Sequence, residues 1–429
     1  MAENMPSNSL GGKISRRQAI KYGTVGAASL LGASSALYYF SGASHSESSA
    51  QAMTPSSDDT WKLWLQRGWA KEARHYSALS EKSVECLLCP NHCILDPGGR
   101  GRCRNRINID GKLYTMVYGN PCTFHVDPIE KKPLMHFLPS TGVFSIATSG
   151  CCLRCLNCQN WDISQRAPEE TKDPRIPDIA LTPAKINFLS ANDLRGLSMF
   201  PQDVVRLAET FECPSIAYTY AEPIVFYEYM EETSKLAREK KIKNVWITCG
   251  HITPKALEEL CPYLDAANVN LKSFDESIYR TLNSGLLQPV LDTLKMLKER
   301  NVWFEVTNLI VPTYTDKLDM ISRMCDWLVE NIGVNYPLHF SRFHPAHKLT
   351  HLPQTPLEIL KQAREIALKA GLHYVYIGNA PGMPEVEHTY CPQCKKIVVE
   401  RNIYSVLSIR LEHGRCRFCQ TPIAGVWTA

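Results

Sequence analysis

Three cysteines near the middle of the chain have the spacing of a cluster or metal ligand set. Cys151, Cys155 and Cys158 follow a C-x3-C-x2-C pattern. A closed iron–sulfur cluster or a structural zinc site normally takes four protein ligands, so three thiolates leave one metal position open. An open iron can bind a small molecule and pass it an electron. The spacing therefore predicts a reactive cluster with a vacant coordination position.

The residues around these cysteines also carry a family resemblance. The loop Ser149–Trp161 and its continuation to Gln165 resemble the radical S-adenosylmethionine (SAM) enzymes, in the branch near the pyruvate formate-lyase activating enzymes and specifically the AmmeMemoRadiSam system radical enzyme. The resemblance implies a [4Fe-4S] cluster whose open iron is chelated by SAM. It also implies reductive cleavage of SAM to a 5'-deoxyadenosyl radical, and that Cys152 is not a ligand. Asn157 departs from the pattern, because many relatives have an aromatic residue there.

The same loop has a competing interpretation. Cys152, Cys155 and Cys158 form C-x2-C-x2-C, which is the opening of a bacterial ferredoxin run. Such a run continues with C-x3-C-P, but position 162 is Asp162 and the next cysteine is Cys213. This alternative needs a distant fourth ligand. It would make the protein a non-catalytic, exported iron–sulfur electron carrier.

Two further sets of four cysteines lie on either side of this loop. The first has the spacing C-x2-C-x3-C-x9-C, among Gly and Pro residues that permit tight turns: Cys86, Cys89, Cys93 and Cys103. The second consists of two C-x2-C pairs separated by 21 residues: Cys391, Cys394, Cys416 and Cys419. The first set suits zinc or an auxiliary cluster, and the second suits a ribbon that binds zinc or iron. Thiolate spacing alone does not choose between these metals.

Short apolar segments alternate with helical patterns from residue 141 to residue 380. The predicted strands are Val143–Thr148, Ser215–Tyr220, Asn244–Thr248, Ala267–Leu271, Val302–Thr307, Pro337–Phe340 and Tyr374–Gly378. The predicted helices are Gln202–Phe211, Ile224–Glu239, Leu287–Arg300, Asp316–Glu330 and Leu357–Ala370. This alternation predicts an α/β fold with a parallel sheet. With the resemblance, it indicates a partial (βα)6-type triosephosphate-isomerase (TIM) barrel with small cysteine-rich metal-binding elements at both ends.

Residues at the carboxyl ends of barrel strands line the site, which selects candidates for cofactor binding. These are Glu222, Thr248, Gly250 and Asn270. The resemblance implies that Glu222 accepts a hydrogen bond from the methionine amino group of SAM, and the alternative is a carboxylate that stabilises a helix N-terminus. Gly250 permits close approach of the backbone to the nucleoside. Asn270 stands where relatives commonly have Asp, so it keeps hydrogen bonding but lacks the charge of an acid.

Lys272 and His339 are the candidates for catalytic roles. Lys272 could pair with the carboxylate of the cofactor or with the substrate. His339 could face the substrate, together with Arg342 and His344 near the same strand. A histidine in an apolar strand is, however, more often a buried residue whose hydrogen bonds are satisfied within the protein.

The N-terminus resembles a twin-arginine export signal. Ser15-Arg-Arg-Gln-Ala-Ile-Lys21 precedes 23 uncharged residues, and Ala50-Gln-Ala52 offers a small-residue cleavage site. This pattern predicts recognition by the twin-arginine translocation machinery and a periplasmic location. The uncharged run is also long enough to anchor the chain in a membrane. SAM and low-potential electron donors are expected in the cytoplasm, so a cytoplasmic enzyme is the alternative.

The predicted organisation has five parts. They are the signal or anchor (1–52), a linker and a helix-like stretch Trp61–Leu79 (53–83), the N-terminal cysteine-rich element (84–140), the radical SAM barrel (141–380) and the four-cysteine ribbon (381–429). The net charge of +4 is spread without a basic stripe, so no nucleic-acid partner is indicated. The expected partners are a low-potential electron donor and, by analogy with the neighbouring families, a protein that serves as substrate.

Overall fold

The computed structural model describes residues 58–186 and 188–428, which belong to one compact unit, Met53–Ala429. The predicted export signal and its cleavage site lie outside the described residues. The first element is helix α1, Asp58–Gln66. The prediction of a helix-like stretch to Leu79 is wrong beyond Gln66. Gly68 adopts a positive φ of 67°, and the Trp69 amide donates to the Trp64 carbonyl at 3.0 Å, which closes the helix as a C-terminal glycine does.

Two small antiparallel sheets follow α1 and contain the first four-cysteine set. Their strands are β1 (Lys71–Glu72), β2 (Tyr76–Ala78), β3 (Val84–Cys86), β4 (Ile94–Leu95), β5 (Arg106–Ile109) and β6 (Lys112–Thr115). One sheet has the order β2-β3-β4 and the other the order β1-β6-β5. The paired strands hold the cysteine loops in place, with Cys86 at the end of β3.

The central sheet has eight strands that follow one another in chain order from edge to edge. They are β7 (Thr123–Pro128), β8 (Gly142–Ala147), β9 (Ser215–Tyr218), β10 (Lys243–Thr248), β11 (Ala266–Asn270), β12 (Trp303–Ile310), β13 (Leu338–Arg342) and β14 (Val375–Gly378). Strand β7 pairs antiparallel with β8, and the neighbours from β8 to β14 pair in parallel. All seven predicted strands are confirmed as strands. No pairing joins β7 to β14 among the described strands, so the sheet is open and a barrel stays a prediction.

Helices connect the parallel strands. They are α2 (Trp161–Ser164), α3 (Pro168–Thr171), α4 (Pro183–Ile186), α5 (Ala191–Gly196), α6 (Pro201–Thr210), α7 (Tyr227–Glu239), α8 (Pro254–Leu260), α9 (Glu276–Ile278), α10 (Gln288–Glu299), α11 (Leu318–Asn331) and α12 (Leu357–Lys369). The apolar residues of α6 recur at helical spacing and are buried, including Val204, Val205 and Leu207. When neighbouring parallel strands follow one another in the chain and their crossovers are right-handed, the connecting helices lie on the same face of the sheet. The five predicted helices are confirmed within a few residues at their ends.

Residues 129–141 cover the other face of the sheet. Ile129, Leu134 and Phe137 pack with one buried residue from each of four successive strands: Val143, Ala217, Val245 and Ala266. The amides of Met135 and His136 donate to Glu305 on β12 at 3.0 and 2.7 Å. Residues 129–141, called the inner segment below, therefore cover this face of the sheet near the amino-terminal ends of its strands.

The C-terminal residues form a small β structure beside this inner segment. Its strands are β15 (Thr389–Tyr390), β16 (Ile397–Asn402), β17 (Ser405–Ile409), β18 (Leu411–Glu412) and β19 (Arg415–Cys416). The amide of Leu138 donates to the Val426 carbonyl at 2.7 Å, and Arg401 Nη2 donates to the Met135 carbonyl at 2.6 Å. The described helices include none with the length and apolar character needed to cross a membrane.

Candidate iron–sulfur and cofactor site

The loop with Cys151, Cys155 and Cys158 follows the carboxyl end of β8 and is held at several points. The amide of Gly150 donates to the Ile163 carbonyl at 3.0 Å, and the amides of Arg154 and Leu156 donate to the carbonyls of Asn283 and Leu282. Asn105 Nδ2 donates to the Ser149 carbonyl at 2.6 Å. Backbone hydrogen bonds along the loop fix the direction of its cysteines before any metal binds.

Polar groups surround the three thiols. The Leu153 amide donates to Cys151 Sγ at 3.4 Å, and Ser164 Oγ lies 3.1 Å from Cys158 Sγ. Cys151 and Cys155 are buried and Cys158 is half-buried. Burial raises the pKa of Cys158 to about 12. A bound metal ion would ionise such a thiol outright.

Lys272 brings a positive charge to this group of thiols. Burial lowers the pKa of Lys272, but the negative charges of Cys155, Cys249, Cys151 and Cys158 outweigh that effect and the net change is upward. The backbone amide of Lys272 donates to the Tyr279 hydroxyl at 3.0 Å. Lys272 is therefore near enough to the three predicted cluster ligands for their charges to raise its pKa.

The predicted cofactor-binding residues meet at the ends of β9, β10 and β11. Glu222 is buried and accepts hydrogen bonds from the Thr248 hydroxyl at 2.7 Å, the Cys249 amide at 2.7 Å and the Ile224 amide at 3.2 Å. The Gly250 amide donates to Thr248 Oγ1 at 3.0 Å, and Asn270 Nδ2 donates to the Thr248 carbonyl at 3.1 Å. Burial raises the pKa of Glu222, although these donors oppose the rise. Glu222 also caps the short turn Pro223–Phe226, as the alternative interpretation expected.

His339 lies apart from this group. It is near the amino end of β13 and buried, and its Nε2 lies 2.6 Å from Glu305 Oε2. Its ring also stacks on Tyr376 with centroids 5.0 Å apart. This arrangement favours the interpretation of His339 as a buried residue whose hydrogen bond is satisfied. A contact of His339 with substrate stays a prediction.

Arg342 and His344 also have partners within the protein. Arg342 Nε donates to the Thr355 carbonyl at 2.8 Å, and His344 Nε2 lies 3.5 Å from the Asn379 carbonyl. Both residues come after His339, in the direction of the carboxyl end of β13. The cysteine loop follows the carboxyl end of β8, at the same edge of the sheet.

Cys152 contacts a different set of atoms from its neighbour Cys151. Its Sγ lies 3.8 Å from Cys249 Sγ, and both residues are buried. Its carbonyl accepts a hydrogen bond from Asn91 Nδ2 at 2.8 Å, and the same Nδ2 lies 3.5 Å from Cys89 Sγ. No spacing in the sequence connects Cys89 and Cys249 with this loop. The one available signal was that Cys249 stands between two predicted cofactor-binding residues, Thr248 and Gly250.

The C-terminal four-cysteine set is ready to hold a single ion. The Sγ atoms of Cys391, Cys394, Cys416 and Cys419 all lie within 4.8 Å of one another. Two pairs, Cys391–Cys419 and Cys394–Cys416, are 3.5 and 3.7 Å apart. A tetrahedral zinc site with bonds of about 2.3 Å has ligand atoms about 3.8 Å apart. The thiols therefore fit one tetrahedral zinc or iron ion, and their geometry does not separate these two metals.

The N-terminal four-cysteine set is more open. In the part of the chain that the structure describes, the C-terminal thiols alone meet as a group within 4.8 Å, so Cys86, Cys89, Cys93 and Cys103 do not enclose one ion. Cys86 and Cys89 are buried, while Cys93 and Cys103 are half-buried. The Arg102 amide donates to Cys93 Sγ at 3.5 Å.

Comparisons with known proteins give a family match, a similar sequence and similar solved structures. The model of the Radical SAM superfamily matches residues 145–328. An uncharacterized protein of Methanocaldococcus jannaschii is 44% identical over 355 residues, which cover 82% of this chain and 98% of that one. A domain of a pyruvate-formate lyase-activating enzyme from Bacteroides vulgatus gives a TM-score of 0.34 at 15% identity, over 38% of this chain and 98% of that domain. SuiB of Streptococcus suis, solved with S-adenosylmethionine, gives 0.38 at 15% identity, over 62% and 56% of the two chains.

Proposed function

Because this chain belongs to the radical SAM superfamily of enzymes, we propose that it cleaves SAM reductively at a [4Fe-4S] cluster held by Cys151, Cys155 and Cys158. The observation that carries the proposal is the contact of this cysteine loop with the Glu222–Thr248 pair: Cys152 Sγ lies 3.8 Å from Cys249 Sγ, and the Cys249 amide donates to Glu222 at 2.7 Å. When bound there, the cluster supplies one electron that breaks SAM into methionine and a 5'-deoxyadenosyl radical, which takes hydrogen from a substrate.

The residues present fit such a cluster. Among the described residues, the thiols of the loop do not meet within 4.8 Å as those of the C-terminal set do, which suits a cluster that presents its iron atoms at separate corners. The Leu153 amide and the Ser164 hydroxyl can donate to ligand sulfurs, a contact that tunes such centres. Asn283 supports the loop through its carbonyl, yet both polar atoms of its buried side chain lack a partner within the described structure. Buried polar atoms of this kind suit contact with a ligand.

The chain's own residues would position SAM as follows. Glu222 holds the Thr248–Gly250 turn through its hydrogen bonds. Because a carboxylate has about four acceptor sites, it can accept a further hydrogen bond from the methionine amino group beside the three it already has. Gly250 has a φ of 68°, which favours glycine, and lets the backbone approach the nucleoside closely. Asn270 holds the same turn through the Thr248 carbonyl. Lys272 would balance negative charge at the cluster or at the cofactor carboxylate.

The experiment is electron paramagnetic resonance (EPR) of the reduced protein with and without SAM. We expect SAM to change the spectrum and 5'-deoxyadenosine to form. Cys151→Ala should abolish both effects, while Cys213→Ala, at a buried cysteine outside the three sets, should keep them. An unchanged spectrum would support the alternative function, a non-catalytic exported iron–sulfur electron carrier with a fully ligated cluster.

The finer features of the enzyme are part of the same proposal. The in-order parallel sheet supports a partial (βα)6-type barrel from 141 to 380. The geometry of the C-terminal thiols supports a ribbon that binds zinc or iron in 381–429. The substrate is a residue of another protein, by analogy with enzymes that activate glycyl radicals. Incubation with candidate partner proteins, followed by mass spectrometry, would test this class of substrate.

A further inference from the structure

The segment that follows β11 packs on the cysteine loop of the proposed radical SAM cluster. It contains α9 and, directly after it, a five-residue π-helix, Tyr279–Asn283. The carbonyl of Asn283 accepts a hydrogen bond from the Arg154 amide at 3.0 Å and lies 4.0 Å from Cys155 Sγ. The backbone of Asn283 is therefore fixed beside a proposed cluster ligand.

The same π-helix is joined to the carboxyl end of β11. The Tyr279 hydroxyl accepts a hydrogen bond from the Lys272 amide at 3.0 Å and lies 3.5 Å from the Asn270 carbonyl. Turns of a π-helix are rare in proteins and are frequently found at functional sites. This one places Asn283 between the cysteine loop and the strand end that carries the predicted cofactor-binding Asn270.

The side chain of Asn283 has no hydrogen-bond partner within the described part of the chain. The residue is fully buried, and both Nδ2 and Oδ1 are without a partner there. Buried polar groups in proteins are nearly always hydrogen-bonded, because a group that loses water without gaining a partner destabilises the fold. Beside Cys155, this side chain suits a ligand that binds at the cysteine loop.

Other buried asparagines do not share this feature. Asn268 donates to the Pro133 carbonyl at 2.8 Å and accepts from the Thr307 hydroxyl at 2.8 Å. Asn120 donates through Nδ2 to a backbone carbonyl at 3.0 Å, so only its Oδ1 lacks a partner among the described residues. Of the described asparagines, Asn283 is the one whose two side-chain polar atoms are both buried and unpartnered.

The two unpartnered atoms of Asn283 need different partners. Nδ2 is a donor and Oδ1 is an acceptor. An iron–sulfur cluster presents sulfur atoms that accept hydrogen bonds, but it has no N–H or O–H group to donate. It can therefore satisfy Nδ2 and not Oδ1. SAM carries an amino group and hydroxyl groups, so the cluster and SAM together supply both partners that this side chain lacks.

We propose that Asn283 binds the cluster and SAM at the same time. Its Nδ2 donates to a sulfur atom on the Cys155 side of the cluster, and its Oδ1 accepts from an amino or hydroxyl group of SAM. This inference rests on the proposed function. Reduction adds negative charge to the cluster, so the donated hydrogen bond stabilises the reduced form and raises the reduction potential. Loss of the side chain has two separate effects, a lower potential and weaker binding of SAM.

A redox titration followed by EPR, together with a titration of the spectrum with SAM, tests the proposal on the full-length holoprotein. Asn283→Leu keeps the branched shape of the side chain but has neither donor nor acceptor. We expect the equilibrium constant for one-electron reduction to fall about tenfold, which lowers the potential by about 59 mV. The Kd for SAM should rise about tenfold. The control Asn120→Leu, at a buried asparagine outside the cysteine loop, should keep both values.

Pulsed EPR of the wild type tests the contact without any substitution. With nitrogen-15 in the side-chain amides of asparagine, the reduced cluster should show a weakly coupled labelled nitrogen. A wild type without this coupling overturns the inference, and so does a folded Asn283→Leu variant in which the potential or the Kd for SAM is unchanged. In both cases, a spectral response of the wild type to SAM leaves the proposed function intact. A wild-type spectrum that SAM does not change would reject the proposed function and this inference with it.

Discussion

At the scale of residues, the adjacent cysteines 151 and 152 show how position within one loop separates two roles. Cys151 Sγ accepts from the Leu153 amide at 3.4 Å and lies among the charges that act on Lys272. Cys152 Sγ instead contacts Cys249 at 3.8 Å. The two overlapping spacings in the sequence therefore correspond to two different directions of the side chains.

This difference gives the first prediction. Cys151→Ala should abolish cleavage of SAM, because it removes a cluster ligand, and Cys152→Ala should retain the cluster and most of the activity with dithionite as reductant. Iron content, EPR and the yield of 5'-deoxyadenosine measure both variants. If Cys152 is essential for the cluster and Cys151 is dispensable, the radical SAM interpretation of this loop fails.

At the scale of elements, the inner segment 129–141 joins the sheet to the C-terminal ribbon. His136 is fully buried, and its Nδ1 lies 2.6 Å from the Ala424 carbonyl and its Nε2 2.7 Å from the Tyr376 hydroxyl. The Nδ1–H therefore donates to the carbonyl, and Nε2 accepts from the hydroxyl. Burial lowers the pKa of His136 to about 4. This interface therefore stabilises the neutral form of the His136 ring.

The second prediction is a loss of stability in acid. The unfolded chain binds a proton at His136 near pH 6.5, while the folded chain does so only near pH 4, so stability falls as the pH drops through this window. The loss attributable to His136 approaches about 3 kcal/mol at the acid end. Unfolding temperatures from pH 7 to pH 4.5 should fall less steeply for His136→Gln than for wild type. The control His351→Gln, at an exposed site, should follow the wild type.

The ribbon gives the third prediction. Because its four thiols already lie at the separations of a tetrahedral site, metal should organise the ribbon. Chelation or Cys416→Ser should increase amide hydrogen exchange over roughly the last 40 residues, as expected of a fold that depends on its metal. The substitution Cys261→Ser, at a buried cysteine outside the ribbon, serves as control. A variant without Cys391 and Cys394 that retains the full metal content would contradict a shared site.

At the scale of the whole molecule, the carboxyl and amino ends of the strands in the central sheet have different functions. The carboxyl ends of β8 to β11 hold the cysteine loop and the Glu222–Thr248 pair, and the N-terminal cysteine-rich element packs there. The amino-terminal half carries Glu305 and His339, which contact the inner segment and Tyr376. We therefore expect chemistry at the first end and structural support at the second.

The fourth prediction joins the predicted export to the metal sites. Arg16 and Arg17 precede a weakly apolar, uncharged run, and twin-arginine export moves folded proteins that already contain their cofactors. We propose that Arg16→Lys with Arg17→Lys leaves a folded, cluster-bearing protein in the cytoplasm, while the wild type reaches the membrane or periplasmic fraction. A new N-terminus at Met53 would show cleavage of the signal, and an intact N-terminus in the membrane would show anchoring. Wild type and double variant alike in the cytosol would reject export.

The sequence by itself determined the features that depend on neighbouring residues. The alternation of apolar segments and helical patterns predicts every parallel strand of the central sheet, because side-chain periodicity is a local property. The paired C-x2-C spacings predict the C-terminal site for the same reason, since each pair needs only one tight turn. One local signal was missed: Gly68, which closes the first helix after Gln66, stands eleven positions before Leu79, the predicted end of the helix-like stretch.

Tertiary structure alone decided which distant residues meet. Cys152 and Cys249 are 97 positions apart in the chain, and Asn91, which donates to the Cys152 carbonyl, comes from the loop between β3 and β4, so no spacing could connect them. The pairing of His339 with Glu305 likewise depends on the register of two parallel strands, and it places the predicted catalytic histidine in a buried hydrogen bond. Contacts of this kind follow from how elements pack, because strands joined by long crossovers bring together residues that no local pattern relates.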